Sequence, residues 1–139
     1  MKNIIRILTI VVLVGFVLIW FYENFVVMKD CSQQVIVESW LDDNENGEKE
    51  EQEIPLGGVT FQMDDIRNDF NDVAKGTTDF NGQVTLWVFL PGCPSTEFVV
   101  YPNAFSGYQL TTEERMQVRE EIFPTTDLPT VRFGFSKSN

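Results

Sequence analysis

The stretch from Val73 to Phe89, which reads VAKGTTDFNGQVTLWVF, decides the fold of this 139-residue chain. On both sides of the tetrapeptide DFNG, at residues 79–82, the sequence is rich in β-branched and aromatic residues, which are typical of strands. The Asn-Gly pair tolerates positive φ angles and therefore favours a tight turn between two strands. The sequence predicts two strands joined by a tight turn here.

The second of these strands, Gln83–Phe89, carries apolar side chains on both of its faces. Leu86 and Val88 fall on one face, whereas Trp87 and Phe89 fall on the other. A strand with one face in water normally alternates between apolar and polar residues. The pattern therefore predicts a central strand that is covered on both faces.

Similar period-two patterns recur along the chain from residue 34 onward, each bounded by turn residues. Besides the two strands Val73–Thr78 and Gln83–Phe89, they predict strands over Gln34–Leu41, Val59–Met63, Glu97–Tyr101, Tyr108–Thr112 and Thr130–Phe135. About seven short strands in some 105 residues indicate an all-β fold, a β-sandwich. A helix competes over Thr111–Ile122, because Thr111 and Glu114 form a capping-box pattern.

A long apolar run near the N-terminus stands apart from these strands. The residues of Ile7–Tyr22 are uncharged and mostly apolar, and they follow Lys2 and Arg6. Counted from Ile4, the run covers about 28 Å as a helix, close to the thickness of a hydrocarbon core. We expect an uncleaved signal anchor that crosses the membrane with residues 4–22. The alternative is a cleaved signal peptide, but no small-residue cleavage pattern follows the run.

The charges around this run predict its orientation. Lys2 and Arg6 lie on its short N-terminal side, so that side is expected to stay in the cytoplasm. Residues 1–28 then form the cytoplasmic N-terminus and the anchor, and residues 29–139 form an extracytoplasmic domain. The predicted location is a cell membrane, crossed once.

The composition excludes several classes of function. The chain has no His, 21 Asp or Glu and 10 Lys or Arg, which gives a net charge of −11. Without His, Ser-His-Asp and Cys-His catalysis and ordinary His-bearing metal sites are excluded. Nucleic-acid binding requires clustered Lys and Arg, which an acidic chain lacks. Only carboxylates remain for catalysis, as in a glycosidase, but many of them cluster in one acidic loop. We therefore expect a protein that is not an enzyme and binds no nucleic acid.

Both cysteines, Cys31 and Cys93, fall in the predicted extracytoplasmic domain. Exported cysteine pairs usually oxidise, and closing this loop would stabilise the fold by roughly 4 kcal/mol on the chain-entropy model. If consecutive strands run antiparallel, the two residues lie at the same end of the sandwich. The sequence thus predicts a disulfide, with two free buried thiols as the alternative.

The acidic stretch from Asp42 to Glu53, DDNENGEKEEQE, matches the pattern D-x-[DN]-x-[DN]-G-x5-E at every constrained position. Calcium takes six to eight oxygen ligands, and a tight loop presents alternate side chains to one ion. Gly47 permits the sharp turn that this loop needs. The predicted ligands are Asp42, Asn44, Asn46, Glu48, Glu50 and Glu53. The alternative is a solvated acidic loop without a metal ion.

This loop and several later motifs occur together in a fixed order: WLDDNENG (40–47), GVTF (58–61), TTDFNG (77–82), LPG (90–92), GYQLTT (107–112) and FGF (133–135). The set resembles the B-type domains of serine-aspartate-repeat (Sdr) surface proteins of Gram-positive bacteria, over roughly residues 34–136. The resemblance implies a Greek-key, prealbumin-like or Cna B-type sandwich, calcium bound for rigidity, and a place in the cell envelope. Some Cna B-type domains carry a Lys–Asn isopeptide bond, which we do not expect because the first strand contains no Lys.

Three weaker signals remain. Asp79 lies close enough in the predicted topology to approach the calcium ion, but an ordinary turn aspartate is the preferred interpretation. The polar residues around Asp64 form either a second cation site or a polar hairpin loop, and we prefer the loop; they are Asp64, Asp65, Asp69, Asn71 and Asp72. Phe105 and Tyr108 form either an exposed contact patch or, as we expect, part of the core.

These observations predict a membrane-anchored, calcium-stabilised β-sandwich with a structural or surface-interaction role in the cell envelope. The alternative is a module that binds a peptide or glycan through the loops far from the membrane. In either case the partner is an envelope protein or glycan that the sequence does not identify.

Overall fold

The computed structural model describes residues 2–22, 30–119 and 128–138. These residues form one helix and eight strands: α1 (Lys2–Phe21), β1 (Asp30–Leu41), β2 (Thr60–Asp65), β3 (Phe70–Thr77), β4 (Gln83–Pro91), β5 (Glu97–Pro102), β6 (Tyr108–Leu110), β7 (Met116–Arg119) and β8 (Thr130–Lys137). The strands build two four-stranded sheets, ordered β4-β1-β8-β6 and β3-β2-β5-β7. The predicted β-sandwich is therefore confirmed.

Strand β7 is the element that the sequence left open between helix and strand. It pairs antiparallel with β5, with Val99 opposite Gln117, and it buries Val118 in the core. Residues 120–122 of the competing helix lie outside the described residues. The capping-box pattern at Thr111 was therefore outweighed by pairing with a strand that is distant in sequence, which local propensity does not register.

The core lies between the two sheets. Its fully buried side chains include Val35 and Val37 from β1, Phe61 from β2 and Phe133 from β8. The rings of Phe61 and Phe133 meet across the sandwich with centroids 4.9 Å apart. Along β1 and β2, Val35, Val37 and Phe61 alternate with less buried residues, as expected for strands with one face in the core.

The predicted central position of β4 is wrong. In the described part of the chain β4 is an edge strand, next to β1 alone in its sheet. The inward side chains Leu86 and Val88 are buried, but Trp87 is 60% and Phe89 is 64% exposed. Local alternation cannot specify the order of strands in a sheet, because that order depends on pairing with distant segments.

The N-terminal apolar run forms α1, whose side chains from Leu8 to Tyr22 are mostly exposed. In the part of the chain that the structure describes, no helix is both long and apolar enough to cross a membrane. The transmembrane span predicted over residues 4–22 is therefore not supported by the structure.

A disulfide closes the end of the sandwich at which β1 begins. Cys31 and Cys93 are bonded, with their Cα atoms 5.2 Å apart, so the prediction of a disulfide is confirmed. Because β1 and β4 pair antiparallel, Asp30 lies opposite Pro91, and this register brings Cys31 beside the turn that follows β4. We call this the tether end of the sandwich.

The opposite end, which we call the loop end, gathers the connections 42–58, 79–82 and 103–107. Ser39 joins two of them, since its hydroxyl donates to the Leu56 carbonyl oxygen over 2.6 Å and its N–H donates to the Gly82 carbonyl oxygen over 2.7 Å. An ideal Cβ built on Gly58, in the connection 42–58, would lie 4.0 Å from the ring of Phe105 in the connection 103–107. The third connection therefore packs against the first. The loops at this end are thus packed on one another.

Gly82 is the position at this end where a side chain is least tolerable. Its φ of 69° is left-handed, and an added Cβ would overlap the Ser39 carbonyl oxygen and lie 3.0 Å from the Leu56 nitrogen. Gly92 has a similar φ of 73°, but its Cβ would meet nothing within 4 Å. Substitution of Gly92 therefore introduces backbone strain alone, whereas substitution of Gly82 introduces both strain and steric overlap.

We expect Gly92→Ala to lower the free energy of unfolding by about 1 kcal/mol, the cost of left-handed backbone alone. Gly82→Ala should lower it by about 3 kcal/mol or more, because the overlap with backbone atoms adds to that strain. Denaturant unfolding of both variants measures the difference. Equal losses would contradict the packing described for the loop end.

Candidate functional site

The predicted calcium loop connects β1 to β2 at the loop end. Its first residue, Asp42, is fully buried, because β1 continues directly into it. The Asp42 N–H donates to the Phe135 carbonyl oxygen of β8 over 2.8 Å, and the Leu41 N–H donates to the Ile54 carbonyl oxygen over 2.9 Å. Both ends of the loop are therefore attached to the sandwich.

The carboxylate of Asp42 organises the first half of the loop. Oδ1 accepts from the Asn46 N–H over 3.2 Å, and Oδ2 accepts from the Gly47 N–H over 2.8 Å. Burial alone would raise the pKa of Asp42, but the Thr111 hydroxyl and the backbone N–H groups of Gly47, Asn46 and Glu45 outweigh burial and lower that pKa. The ionised form of Asp42 is the one that the loop stabilises.

The two asparagines face a single carboxylate. The side-chain amide of Asn44 donates to Glu50 Oε2 over 3.2 Å, and that of Asn46 donates to Glu50 Oε1 over 3.3 Å. Asn46 Oδ1 also accepts from the Glu48 N–H over 2.8 Å. The structure thus brings positions three, five, seven and nine of the loop into one hydrogen-bonded group.

Glu53 completes the loop from its far end. Its Oε2 accepts from the Glu50 N–H over 2.9 Å. Its Oε1 is buried and has no hydrogen-bond partner among residues 2–22, 30–119 and 128–138. Leaving a buried carboxylate oxygen unpaired costs free energy, and a bound cation would remove that cost.

The six predicted ligands therefore share one loop, with oxygen donors that suit a hard cation such as calcium. Within the described residues, however, no group of three or more Asp, Glu, His or Cys side chains gathers in the way that a metal site requires. The carboxylates of Asp42 and Glu50 instead accept hydrogen bonds from N–H groups of the loop itself. The oxygen donors are of the kind that calcium takes, and hydrogen bonds within the loop hold it in this structure.

The weaker signals resolve as we expected. Asp79 Oδ1 accepts from the N–H groups of Asn81 and Gln83, which makes it a turn residue. Phe105 and Tyr108 stack with centroids 4.9 Å apart, and Phe105 packs edge-on against Phe135, so both rings contribute to the core.

The acids around Asp64 belong to a hydrogen-bonded hairpin. Asp64 Oδ1 accepts from the Asp72 N–H over 2.9 Å. Asp65 accepts from the N–H groups of Arg67 and Glu97 and from the Asn68 amide. The preferred interpretation of a polar hairpin therefore agrees with the contacts of these two buried carboxylates.

The sequence analysis missed one polar cluster on the second sheet. Asp64 also accepts from the Tyr101 hydroxyl over 3.1 Å and pairs with Arg115 over 3.1 Å, and the Arg115 guanidinium lies 4.5 Å from the centre of the Tyr101 ring. Burial and the hydrogen bond to Asp64 raise the pKa of Tyr101. These partners are separated by 14 to 51 positions, and no local spacing indicates such a cluster.

Solved structures of Gram-positive pilins have this fold. The chain is similar to the shaft pilin SpaA from Lactobacillus rhamnosus GG, with 15% identity, a TM-score of 0.57 and coverage of 78% of this chain and 52% of that chain. The N-terminal domain of the same pilin gives 16% identity and a TM-score of 0.54 over 75% of this chain and 94% of that one. The minor pilin GBS52 from Streptococcus agalactiae gives 17% identity and a TM-score of 0.52, covering 78% and 45%.

These similarities establish the class of fold, a pilin-type β-sandwich. This chain spans about half the length of the first pilin that it matches. No protein-family model matches the chain, and no curated protein matches it either. The narrower resemblance to Sdr B-type domains therefore stays a prediction.

The lowered pKa of Asp42 predicts how stability responds to acid. An unfolded Asp has a pKa of about 3.9, so the contribution of Asp42 is present above about pH 4 and is lost as pH falls through the lower folded value. We expect the free energy of unfolding to fall between pH 4 and pH 2.5 in the natural chain, and to fall less in Asp42→Asn. Denaturant unfolding at both pH values measures this slope.

Asp43→Asn is the matched control, because Asp43 is the exposed neighbour in the same loop. This variant removes the same charge and should keep the slope of the natural chain. If Asp42→Asn showed that same slope, the buried carboxylate would not be the group that the loop stabilises.

Proposed function

We propose that this chain is a non-enzymatic structural module of the cell surface. The observation that carries the proposal is the likeness of its sandwich to domains of pilins, which the matched structures describe as shaft and minor pilins. Pilins are extracellular structural proteins, and the disulfide between Cys31 and Cys93 suits an oxidising compartment outside the cytoplasm. The proposed location is therefore extracytoplasmic for residues 29–139.

The proposal includes attachment to a membrane through residues 4–22. From Leu8 to Tyr22 the large apolar side chains of α1 are between 51% and 75% exposed, and none of them belongs to the described core. So much exposed apolar surface is costly in water and favourable in lipid. Lys2 and Arg6 favour a cytoplasmic N-terminus.

Calcium is the proposed stabilising ion of the loop from Asp42 to Glu53. Two features support it: the match to the calcium-loop pattern and the buried, unpartnered Oε1 of Glu53. Seven acidic side chains in this loop repel one another, and a divalent cation would reduce that repulsion. The ion would thereby make the loop end rigid.

The proposed location can be tested in a bacterial host that expresses the full chain. We expect the protein to sediment with membranes and to resist carbonate extraction. Thiol trapping in intact cells should find Cys31 and Cys93 oxidised, and protease added to spheroplasts should digest the sandwich. The Lys2→Glu/Arg6→Glu variant should be more protected from protease, because it lacks the charges that set the orientation. Reduced cysteines in a soluble protein would contradict the proposal.

The calcium proposal predicts a metal-dependent melting temperature for the full chain in detergent. An ion that binds only the folded state stabilises it by about 2.7 kcal/mol at a hundredfold excess over Kd. We therefore expect the melting temperature in millimolar calcium to exceed that in EGTA by about 10 °C. Glu53→Gln should abolish this rise.

Glu51→Gln provides the control, since Glu51 is exposed in the same loop and is not a predicted ligand. It changes the net charge equally and should retain the calcium response. Identical melting curves of the natural chain in calcium and in EGTA would reduce the loop to a solvated acidic connection.

A further inference from the structure

On the outer face of the β1–β4 pair, Asp30 is charged at the tether end, and the residues from Ser32 to Ile36 are uncharged. In the antiparallel register Ser32 lies opposite Phe89 and Gln34 lies opposite Trp87, so these four residues share one face. Strand β4, which reads QVTLWVFLP, contains no charged residue, and neither does the segment 31–37 of β1. Trp87 and Phe89 project from this face with 60% and 64% of their surface exposed.

The same face becomes ionic toward the loop end. Glu38, opposite Gln83 in the register, pairs with Arg132 of β8 over 2.9 Å and with Lys49 over 3.3 Å. Burial alone would raise the pKa of Glu38, but hydrogen bonds and charge interactions with Arg132 and Lys49 lower it. The outer face of the β1–β4 pair therefore has an ionic half and an aromatic half, and Asp30 is the charged residue of β1 in the aromatic half.

The tether end, where the aromatic half lies, is joined to α1 by a short segment of chain. Seven residues separate Tyr22 from Asp30, and fully extended this connection spans at most about 29 Å. Asp30 lies opposite Pro91, only two residues from Phe89. The exposed Trp20, Phe21 and Tyr22 at the end of α1 form the kind of aromatic cluster that lies at a membrane–water interface. The length of this connection therefore limits how far Phe89 and Trp87 can lie from that interface.

We propose that Trp87 and Phe89 insert into the interfacial region of the same membrane, so that the outer face of β1 and β4 lies against the lipid at the tether end. The inference rests on the proposed membrane attachment of α1. Trp and Phe gain free energy at this interface, and the uncharged residues of segment 31–37 and of β4 approach lipid without losing hydrated charge. The net charge of −11 opposes a second copy of the chain as the alternative occupant of the face.

Tryptophan fluorescence tests this arrangement, because the chain has three Trp and Trp40 is buried. The full-length Trp20→Phe variant is reconstituted into phosphatidylcholine vesicles whose acyl chains carry bromine near the interface. We expect about a third to a half of its fluorescence to be quenched relative to ordinary vesicles. The Trp20→Phe/Trp87→Phe variant, which retains only Trp40, should show no quenching.

Phe80 supplies the matched control at the loop end, where it is 87% exposed in the turn 79–82. Adding Phe80→Trp to the Trp20→Phe/Trp87→Phe background places an exposed Trp away from the tether end. This Trp should escape quenching, whereas adding Phe89→Ser to Trp20→Phe should weaken the quenching of Trp87.

Flotation of the same vesicles separates the two proposals. Protein that floats with the vesicles but shows no quenching of Trp87 overturns the membrane contact and leaves the attachment through α1 standing. Emission of Trp87 that depends on protein concentration, without quenching, assigns the face to a second copy and overturns the lipid contact. Protein that does not float overturns both proposals.

Discussion

The double pairing of β1 is the constraint on which the rest of this sandwich depends. Its first nine residues pair antiparallel with β4, and its last six pair parallel with β8, so one strand fixes the register of both neighbours. Cys31 at its beginning closes the tether end through the disulfide, and Asp42 directly after its end organises the acidic loop. A change of register by one residue would bury Gln34 and Ile36 in place of Val35 and Val37, and would displace the tether end and the loop end together.

This dependence explains how the two ends differ while sharing one sheet. At the tether end the Cys31–Cys93 disulfide joins the start of β1 to the turn after β4. Trp87 and Phe89 of β4 are exposed on the outer face beside it. At the loop end the restraint is a set of hydrogen bonds to backbone carbonyl oxygens, with Ser39 between Leu56 and Gly82. Covalent restraint is insensitive to charge, whereas the hydrogen-bonded end must also accommodate a concentrated negative charge.

Most of the predictable features were those that local sequence encodes, whereas the disulfide between Cys31 and Cys93, 62 positions apart, was predicted from the expected order of the strands. The turn at residues 79–82 and the run of strands follow from short patterns, and the contacts of Asp42 with Asn46 and Gly47 lie within one motif. The order of strands and the covering of each sheet face are not local properties. Trp87 is exposed on the outer face of the edge strand β4, and the pattern from Gln83 to Phe89 does not indicate this. The contact of Asp64 with Arg115 was equally out of reach, since it joins segments that meet only in the folded sheet.

In the acidic loop the sequence pattern and the folded structure differ. Its spacing is that of a calcium loop, yet Glu50 accepts hydrogen bonds from Asn44 and Asn46, and the carboxylates do not converge. Amide and backbone N–H groups compensate carboxylates only in part, because a dipole cancels less of their repulsion than a cation does. The buried Oε1 of Glu53 is the oxygen that this compensation does not reach. The proposed calcium ion would therefore gain most at this final position of the loop, where it would remove the cost of the unpaired oxygen.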